Sequence, residues 1–244
     1  MCKLVSTAIS VICVAAFGLA DKLTLPVIVC KRNSPDYSIC LKDAAEEAWP
    51  RFLKGLPEFD FPSLDPLVYT HGTATFETGE IRGEVTLSNT TAKGLKENRF
   101  TNARANLLDN IFRLELDFVV PRILLEGYVT AQGSLGAFRM NGKGPFNLTI
   151  DNVEGTYDLT GHVTNDTWVV EHFTTLPSVR KMKIYLEEIF NSKEINDLAI
   201  SFINEYWPAL YRVMLPVAAK EWDKWLTDLS NRLFSKVSFS ALFP

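Results

Sequence analysis

The chain has 244 residues, 47% of them hydrophobic, with 25 Lys and Arg against 29 Asp and Glu and a net charge of −4. This length is sufficient for one large domain with a substantial core. The acidic balance and the lack of a Lys/Arg-rich run argue against nucleic acid and anionic membrane surfaces as partners.

The first twenty residues, MCKLVSTAISVICVAAFGLA, have the features of a secretory leader. Lys3 gives a positive start, an uncharged apolar run follows, and Gly18 and Ala20 precede a cut before Asp21. A membrane anchor is the alternative, but the run is at the short end of what spans a bilayer. We therefore expect residues 1–20 to be a cleaved signal peptide and residues 21–244 to form a single secreted, extracellular domain. No stable membrane insertion is expected of the later segments.

Cysteine usage fits this compartment. Cleavage removes Cys2 and Cys13 and leaves Cys30 and Cys40, which have no other partner in the chain and are expected to form a disulfide. A two-thiol metal site and a redox pair are the alternatives, and the nine intervening residues match neither spacing. Three sequons agree with a secreted surface and are candidate glycosylation sites: Asn89, Asn147 and Asn165.

The first expected element after the leader is a helix. Ser34-Pro35-Asp36 reads as its start, with Ser34 as the cap and Pro35 in the first turn. The helix is expected to run through YSICLKDAAEEAWPRFLK and to stop at Gly55. Pro50 is a position at which it bends or ends early.

From residue 67 to residue 173 the apolar positions recur with a period of two. In IFRLELDFVV the even-numbered positions from Phe112 to Val120 share one face, while Arg113, Glu115 and Asp117 share the other. This pattern is typical of antiparallel strands with one buried face. Glycines within the strands permit bulges and strong curvature, so we expect a highly curved antiparallel β-sheet.

After Pro177 the period changes to 3.6, which predicts a helix over about residues 194–236. Pro208 and Pro216 are expected to kink or split it. Its apolar surface is wider than one packed face requires, so the curved sheet is expected to wrap it. The predicted fold class is α+β, a long C-terminal helix wrapped by a highly curved antiparallel sheet.

No catalytic or metal-binding constellation is apparent. His71, His162 and His172 occur singly, without the spacing of metal ligands. QGSLG lacks the first glycine of a nucleophile elbow, and NGKG lacks the Ser or Thr of a phosphate loop. We therefore expect no enzyme activity, no cofactor and no metal, although a triad assembled from distant positions remains an alternative.

The inner face of the sheet and the C-terminal helix offer long uncharged stretches. An ordinary core is one explanation, and a cavity for a lipid is the other; removing about 400 Å² of ligand surface from water contributes on the order of 10 kcal/mol. The residues predicted to line such a tunnel are Phe112, Leu114, Leu116, Phe118, Val120, Ile123, Leu125, Val129, Phe138, Phe146, Leu148, Tyr157, Phe202 and Tyr206.

Four segments carry a resemblance that periodicity does not: CKRNSPDYSICLKDA, FPSLDPLVY, LLEGYVTAQGSLGAFRMNGKGPFNLTI and NRLFSKVSFSALFP. In order and spacing they resemble the insect juvenile hormone-binding and takeout family, from about residue 29 to residue 244. The single cysteine pair is closer to the takeout branch, because juvenile hormone-binding proteins proper tend to have a second bridge. The resemblance implies a helix in a tubular lipid-binding (TULIP-like) sheet, an apolar tunnel for a hydrophobic small molecule, and no catalysis.

The sequence therefore predicts a secreted carrier of a hydrophobic small molecule, such as a terpenoid, a fatty acid derivative or a quinone-like lipid. The alternative is a secreted glycoprotein factor with a vestigial cavity that acts through a cell-surface receptor. A lipid-modifying hydrolase is a third hypothesis, which would require ester turnover that a single Ser or His substitution abolishes.

Overall fold

A computed structural model of the chain describes residues 22–78, 81–135, 138–187, 189–190 and 192–244, and the predicted signal peptide lies outside these ranges. The helices are α1 (Tyr37–Lys54), α2 (Lys193–Phe234) and α3 (Phe239–Leu242). The strands are β1 (Leu67–Thr78), β2 (Ile81–Lys93), β3 (Arg99–Leu108), β4 (Ile111–Leu135), β5 (Phe138–Thr164), β6 (Thr167–Thr174) and β7 (Ser178–Leu186).

Two long strands form the centre of one antiparallel sheet. β4 has 25 residues and β5 has 27, and they pair along their whole lengths. β4 pairs with β3 along its first part and with β2 along its last part, while β5 pairs with β7 and then with β6. Strands of this length would reach about 90 Å if straight, so the sheet has to curl within a domain of this size. The prediction of a curved antiparallel sheet is confirmed.

The alternation of inward and outward side chains changes phase at one level that crosses three strands. Pro121 on β4 lies opposite Asn152 on β5, which has a φ of 51°, and Asn152 lies opposite Arg180 on β7. On each strand the alternation of inward and outward side chains shifts by one residue at this level, so that Pro121 and Arg122 both point outward. We name this level the bend. It divides the inner face of the sheet into two halves.

Helix α2 lies on the concave side and is fastened to the sheet by asparagine side chains. The Asn231 amide accepts from the Val170 N–H (2.9 Å) and donates to the Val170 carbonyl (2.7 Å). Asn204 makes the same pair of bonds with Ile184 at 2.8 Å each. Val170 lies on β6 and Ile184 on β7, and both strands are at edges of the sheet. We name Asn204 and Asn231 the amide clamps, because each satisfies the free backbone groups of an edge strand.

The N-terminal arm and the chain's last residues close one end of the sheet. Cys30 and Cys40 form the predicted disulfide, which joins the arm to the start of α1. Phe239 and Phe243 pack against Phe112 at ring-centroid distances of 5.0 and 4.7 Å, and Phe112 packs edge-to-face against Trp168 at 4.9 Å. This cluster fills the interior at that end of the sheet.

The helices agree with the sequence in their bounds and differ in detail. α1 ends before Gly55 as predicted, and Pro50 does not interrupt it. Ser34 does not cap the helix, which begins at Tyr37 with Asp36 as its N-cap residue. α2 runs through Pro208 and Pro216 as a single helix, so these prolines do not split it, and a kink at either one stays a prediction. The tertiary contacts of the flanking turns outweigh the local cost of each proline.

Strand β7 was missed by the sequence reasoning, which assigned the region after Pro177 to the helical pattern. The strand pairs with β5 from Ser178 to Leu186. Its inward residues Met182, Ile184 and Leu186 alternate with outward Lys183 and Tyr185. The signal was therefore present, but it is only a few residues long and directly precedes a strong helical period.

A carboxylate in the β5–β6 turn ties the C-terminal segment to the sheet. The Asp166 carboxylate accepts from the Ser238 hydroxyl (2.5 Å) and the Ser240 N–H (2.7 Å), and it lies 3.5 Å from the Lys22 ammonium. The hydrogen bond from Ser238 is the main cause that lowers the pKa of Asp166 to about 2.

This lowered pKa predicts a pH dependence of stability. An Asp whose pKa is lower in the folded state contributes stability that is complete above the unfolded value, about 4, and is lost as the pH falls through about 2. We expect the free energy of unfolding of Asp166→Asn, measured by urea titration at a series of pH values, to fall less steeply than that of the parent between pH ~4 and ~2. Parallel curves for the two proteins over that window would contradict the assignment.

Candidate functional site

The inner face of the sheet before the bend is lined mainly by aromatic side chains. Tyr157 on β5 stacks on Phe118 of β4, with ring centroids 4.0 Å apart and planes at 12°. Phe173 and Phe100 meet the Tyr157 ring edge-on at 5.8 and 6.4 Å. Leu116, which is directly opposite Tyr157 in the β4–β5 register, lies beside this group and is only partly buried.

Tyr157 is largely enclosed by protein and is still partly accessible. It is surrounded by protein atoms, and burial is the sole cause that raises the pKa of its hydroxyl well above the ordinary value. The residue is nevertheless partly accessible. Within the described ranges the hydroxyl makes no hydrogen bond to the protein, which leaves its donor free.

The inner face beyond the bend is mainly aliphatic. Ile123, Leu125 and Leu148 point inward and remain partly accessible, whereas Val129 and Phe146 are buried. Ile184 of β7 and Ile200 and Ile203 of α2 pack against the same cluster. The sequence reasoning omitted these three residues, since β7 was not recognised and the phase of α2 was not known.

The predicted lining residues fall into three groups. Phe112 and Val120 have no accessible surface, so they are closed core and the prediction that they face a tunnel is corrected. Leu114, Phe118, Val129 and Phe146 keep only a few per cent of their surface. The partly accessible residues on the inner face are Leu116, Ile123, Leu125, Leu148 and Tyr157.

The two aromatic residues predicted on α2 do not face the interior. Phe202 and Tyr206 are 52% and 50% exposed and contact each other at 5.0 Å on the outer side of the helix. The amide clamp Asn204 determines this phase, because it holds the opposite side of the helix against β7. Phe138 opens β5, and its side chain lies outside the described part of the structure.

The outer face of the same strands is charged and internally paired. Arg104 on β3 binds the Asp117 carboxylate with both terminal nitrogens (2.6 and 2.9 Å), which is the main cause that lowers the pKa of Asp117 to about 2. Arg113 binds Asp158 in the same bidentate manner across β4 and β5. These pairs keep the ionised groups of the central strands on the outer face, so the inner face stays uncharged.

The three sequons occupy exposed backbone positions. Asn147 points outward from the middle of β5, as predicted from the alternation. Asn89 lies at the irregularity in the β2–β4 pairing with a φ of 48°, and Asn165 lies in the β5–β6 turn. All three are therefore accessible, and their occupancy stays a prediction.

No group of His, Cys, Asp and Glu with metal-binding geometry occurs among the described residues. His162 and His172 each face a carboxylate, Glu171 at 2.9 Å and Asp223 at 3.0 Å, and both imidazoles are accessible to solvent. Within the same ranges no helix is long and apolar enough to cross a bilayer.

Comparison with known proteins agrees with this architecture. The haemolymph juvenile hormone binding protein (JHBP) family matches residues 8–244 of the chain. A protein from Schistocerca gregaria, described as a "Putative beta-carotene-binding protein", is 22% identical over 234 residues, which cover 87% of this chain and 86% of the relative. The crystal structure of Takeout 1 from Epiphyas postvittana superposes with a TM-score of 0.72 at 21% identity, covering 88% of this chain and 99% of that one. The curved sheet with its long C-terminal helix is thus shared with a takeout protein, and the chain belongs to the haemolymph juvenile hormone binding protein family.

Proposed function

We propose that this protein is a secreted carrier, a single domain over residues 21–244, that reversibly binds a hydrophobic small molecule inside the curved sheet. The ligand class is a terpenoid, a fatty acid derivative or a quinone-like lipid. The family name, and the naming of the Schistocerca gregaria relative as a beta-carotene-binding protein, support a lipophilic ligand.

The observation that carries the proposal is the combination of burial and accessibility at Tyr157. From this enclosure and partial accessibility we infer that Tyr157 borders an internal space. Leu116 and Ile123 are inward-facing and partly accessible on the same sheet, on either side of the bend. An apolar space bordered by the hydroxyl of Tyr157 fits a molecule that is mostly hydrocarbon and has an oxygen placed to accept from that hydroxyl.

The energetics allow tight but reversible binding. Removing about 400 Å² of apolar ligand surface from water contributes on the order of 10 kcal/mol. The costs of association leave affinities in about the micromolar to nanomolar range. The aromatic cluster of Phe112, Trp168, Phe239 and Phe243 fills the interior at one end. We therefore place the ligand's access at the opposite end of the sheet.

The test is mass spectrometry of an organic extract from the secreted, deglycosylated protein, together with its native mass and titration with a fluorescent fatty acid analogue. We expect a co-purified lipid at about one per chain, or saturable probe binding that a terpenoid or fatty acid ester displaces. A lipid-free protein that also fails to bind the probe would overturn the carrier function. Hydrolysis of the ester during the titration would instead favour the hydrolase hypothesis.

A further inference from the structure

Helix α2 presents an apolar stripe on the side that faces away from the sheet. Its large members are Ile195, Leu198, Phe202, Tyr206 and Val213, each between 44% and 70% exposed. The spacing of three, four, four and seven residues places all five on one side of the helix. The opposite side carries the amide clamp Asn204 and packs on β7. The stripe is therefore separate from the proposed ligand site.

The stripe has a clear C-terminal limit. Ala209 and Pro216 continue it as exposed, uncharged positions, and Lys220 and Lys224 follow on the same side of the helix. From residue 198 to residue 216 the apolar part runs about 27 Å. None of the three sequons lies on α2, so glycans attached to them would not be anchored on this surface.

Two oppositely charged residues flank the stripe along one edge. Glu205 and Arg212 are two helical turns apart and exposed, and within the described part of the chain neither takes part in an ion pair. If two copies of α2 pack antiparallel about a two-fold axis between Pro208 and Ala209, Glu205 of each copy lies level with Arg212 of the other. Both residues are on the same edge, so two identical ion pairs form across the axis.

The same register also interleaves the apolar side chains. Phe202 falls level with the gap between Val213 and Pro216 of the second copy, and Tyr206 falls level with the gap between Ala209 and Val213. The small Ala209 at the axis lets the helices approach closely. A contact of this length, with its flanking side chains, buries on the order of 1,000 Å² in total, the lower limit for a specific interface.

We propose that this protein self-associates as an antiparallel dimer through the outer stripe of α2. The surrounding charge disfavours a lipid surface as the occupant, because Glu194, Asp197 and Glu205 accompany the N-terminal half of the stripe and would be repelled by anionic lipids. The proposal does not depend on a bound ligand.

Sedimentation equilibrium of the secreted chain over a range of concentrations tests the proposal. We expect a reversible monomer–dimer equilibrium. Leu198→Lys is expected to weaken the dimerisation affinity by about ten-fold or more, because the new cation lies in the apolar contact and beside Lys220 of the second copy. Leu108→Lys is the matched control, since Leu108 at the end of β3 is 68% exposed against 70% for Leu198. This control is expected to dimerise like the parent.

The two ion pairs between Glu205 and Arg212 of opposite copies allow a second test of the dimer. Glu205→Arg and Arg212→Glu are each expected to weaken the dimer, and the double variant is expected to restore it, because the ion pairs are then reversed. A parent that stays monomeric at the highest attainable concentration would overturn the proposal. So would a dimer that tolerates Leu198→Lys, or a monomer that binds phosphatidylcholine vesicles through this stripe.

Discussion

Replacement of Leu116 by tryptophan is expected to weaken ligand binding by about ten-fold or more, with a much smaller effect on folding. Leu116 points inward beside Tyr157 and keeps accessible surface, so a larger side chain is expected to extend into the proposed ligand space rather than into packed atoms. Probe-displacement titration measures the affinity, and urea unfolding measures the stability of the same variant.

Leu124→Trp is the matched control for this experiment. Leu124 lies on the same strand and is exposed on the outer face, so the added ring meets solvent. Affinity and stability of this variant are expected to stay close to those of the parent. If Leu116→Trp reduced stability and affinity in equal measure, Leu116 would be ordinary core and the ligand site would have to lie elsewhere.

The amide clamps predict the second large effect, which is on stability. Asn231→Leu removes both bonds to Val170, a buried residue, and leaves a backbone N–H and a carbonyl of an edge strand without partners. An unsatisfied buried polar group costs about 1–3 kcal/mol, so we expect the free energy of unfolding to fall by about 3 kcal/mol. Urea titration followed by circular dichroism measures the change.

Two further variants show whether the hydrogen bonds are responsible. Asn231→Asp keeps the acceptor for the Val170 N–H and loses the donor to its carbonyl, so an intermediate loss is expected. Asn106→Leu, at an exposed position on β3, is expected to change stability by less than about 0.5 kcal/mol. A loss at Asn231→Leu no larger than at Asn106→Leu would show that the clamp contributes nothing.

The main elements were predictable from the sequence because each has a regular period. The alternation from Phe112 to Phe118 indicated the inward face of β4 correctly, and Gly55 marked the end of α1. The disulfide followed from the count of cysteines. Long elements with a regular pattern provide many independent observations of the same period, so a single irregular residue does not obscure them.

The positions within the site were less predictable. Phe202 and Tyr206 belong to a helix that is apolar on most of its circumference, and such a pattern does not indicate which side meets the sheet. The side of α2 that faces the sheet is determined by the hydrogen bonds between the Asn204 side chain and the Ile184 backbone. A contact of this kind has no periodic signature in the sequence. Accessibility at Tyr157 likewise depends on the curvature of the whole sheet, which no local segment specifies.

The bend has a consequence for how this fold changes during evolution. Because three strands shift phase together at Pro121, Asn152 and Arg180, the two halves of the inner face are specified by separate groups of positions. Leu125 and Leu148 pack in a different cluster from the stacked rings, whereas Ile123 and Ile150, next to the bend, pack against the cluster that contains Phe118. For the proposed carrier function, a lineage can therefore change the lining at positions such as Leu125 and Leu148 by point mutation while it inherits the stacked rings unchanged.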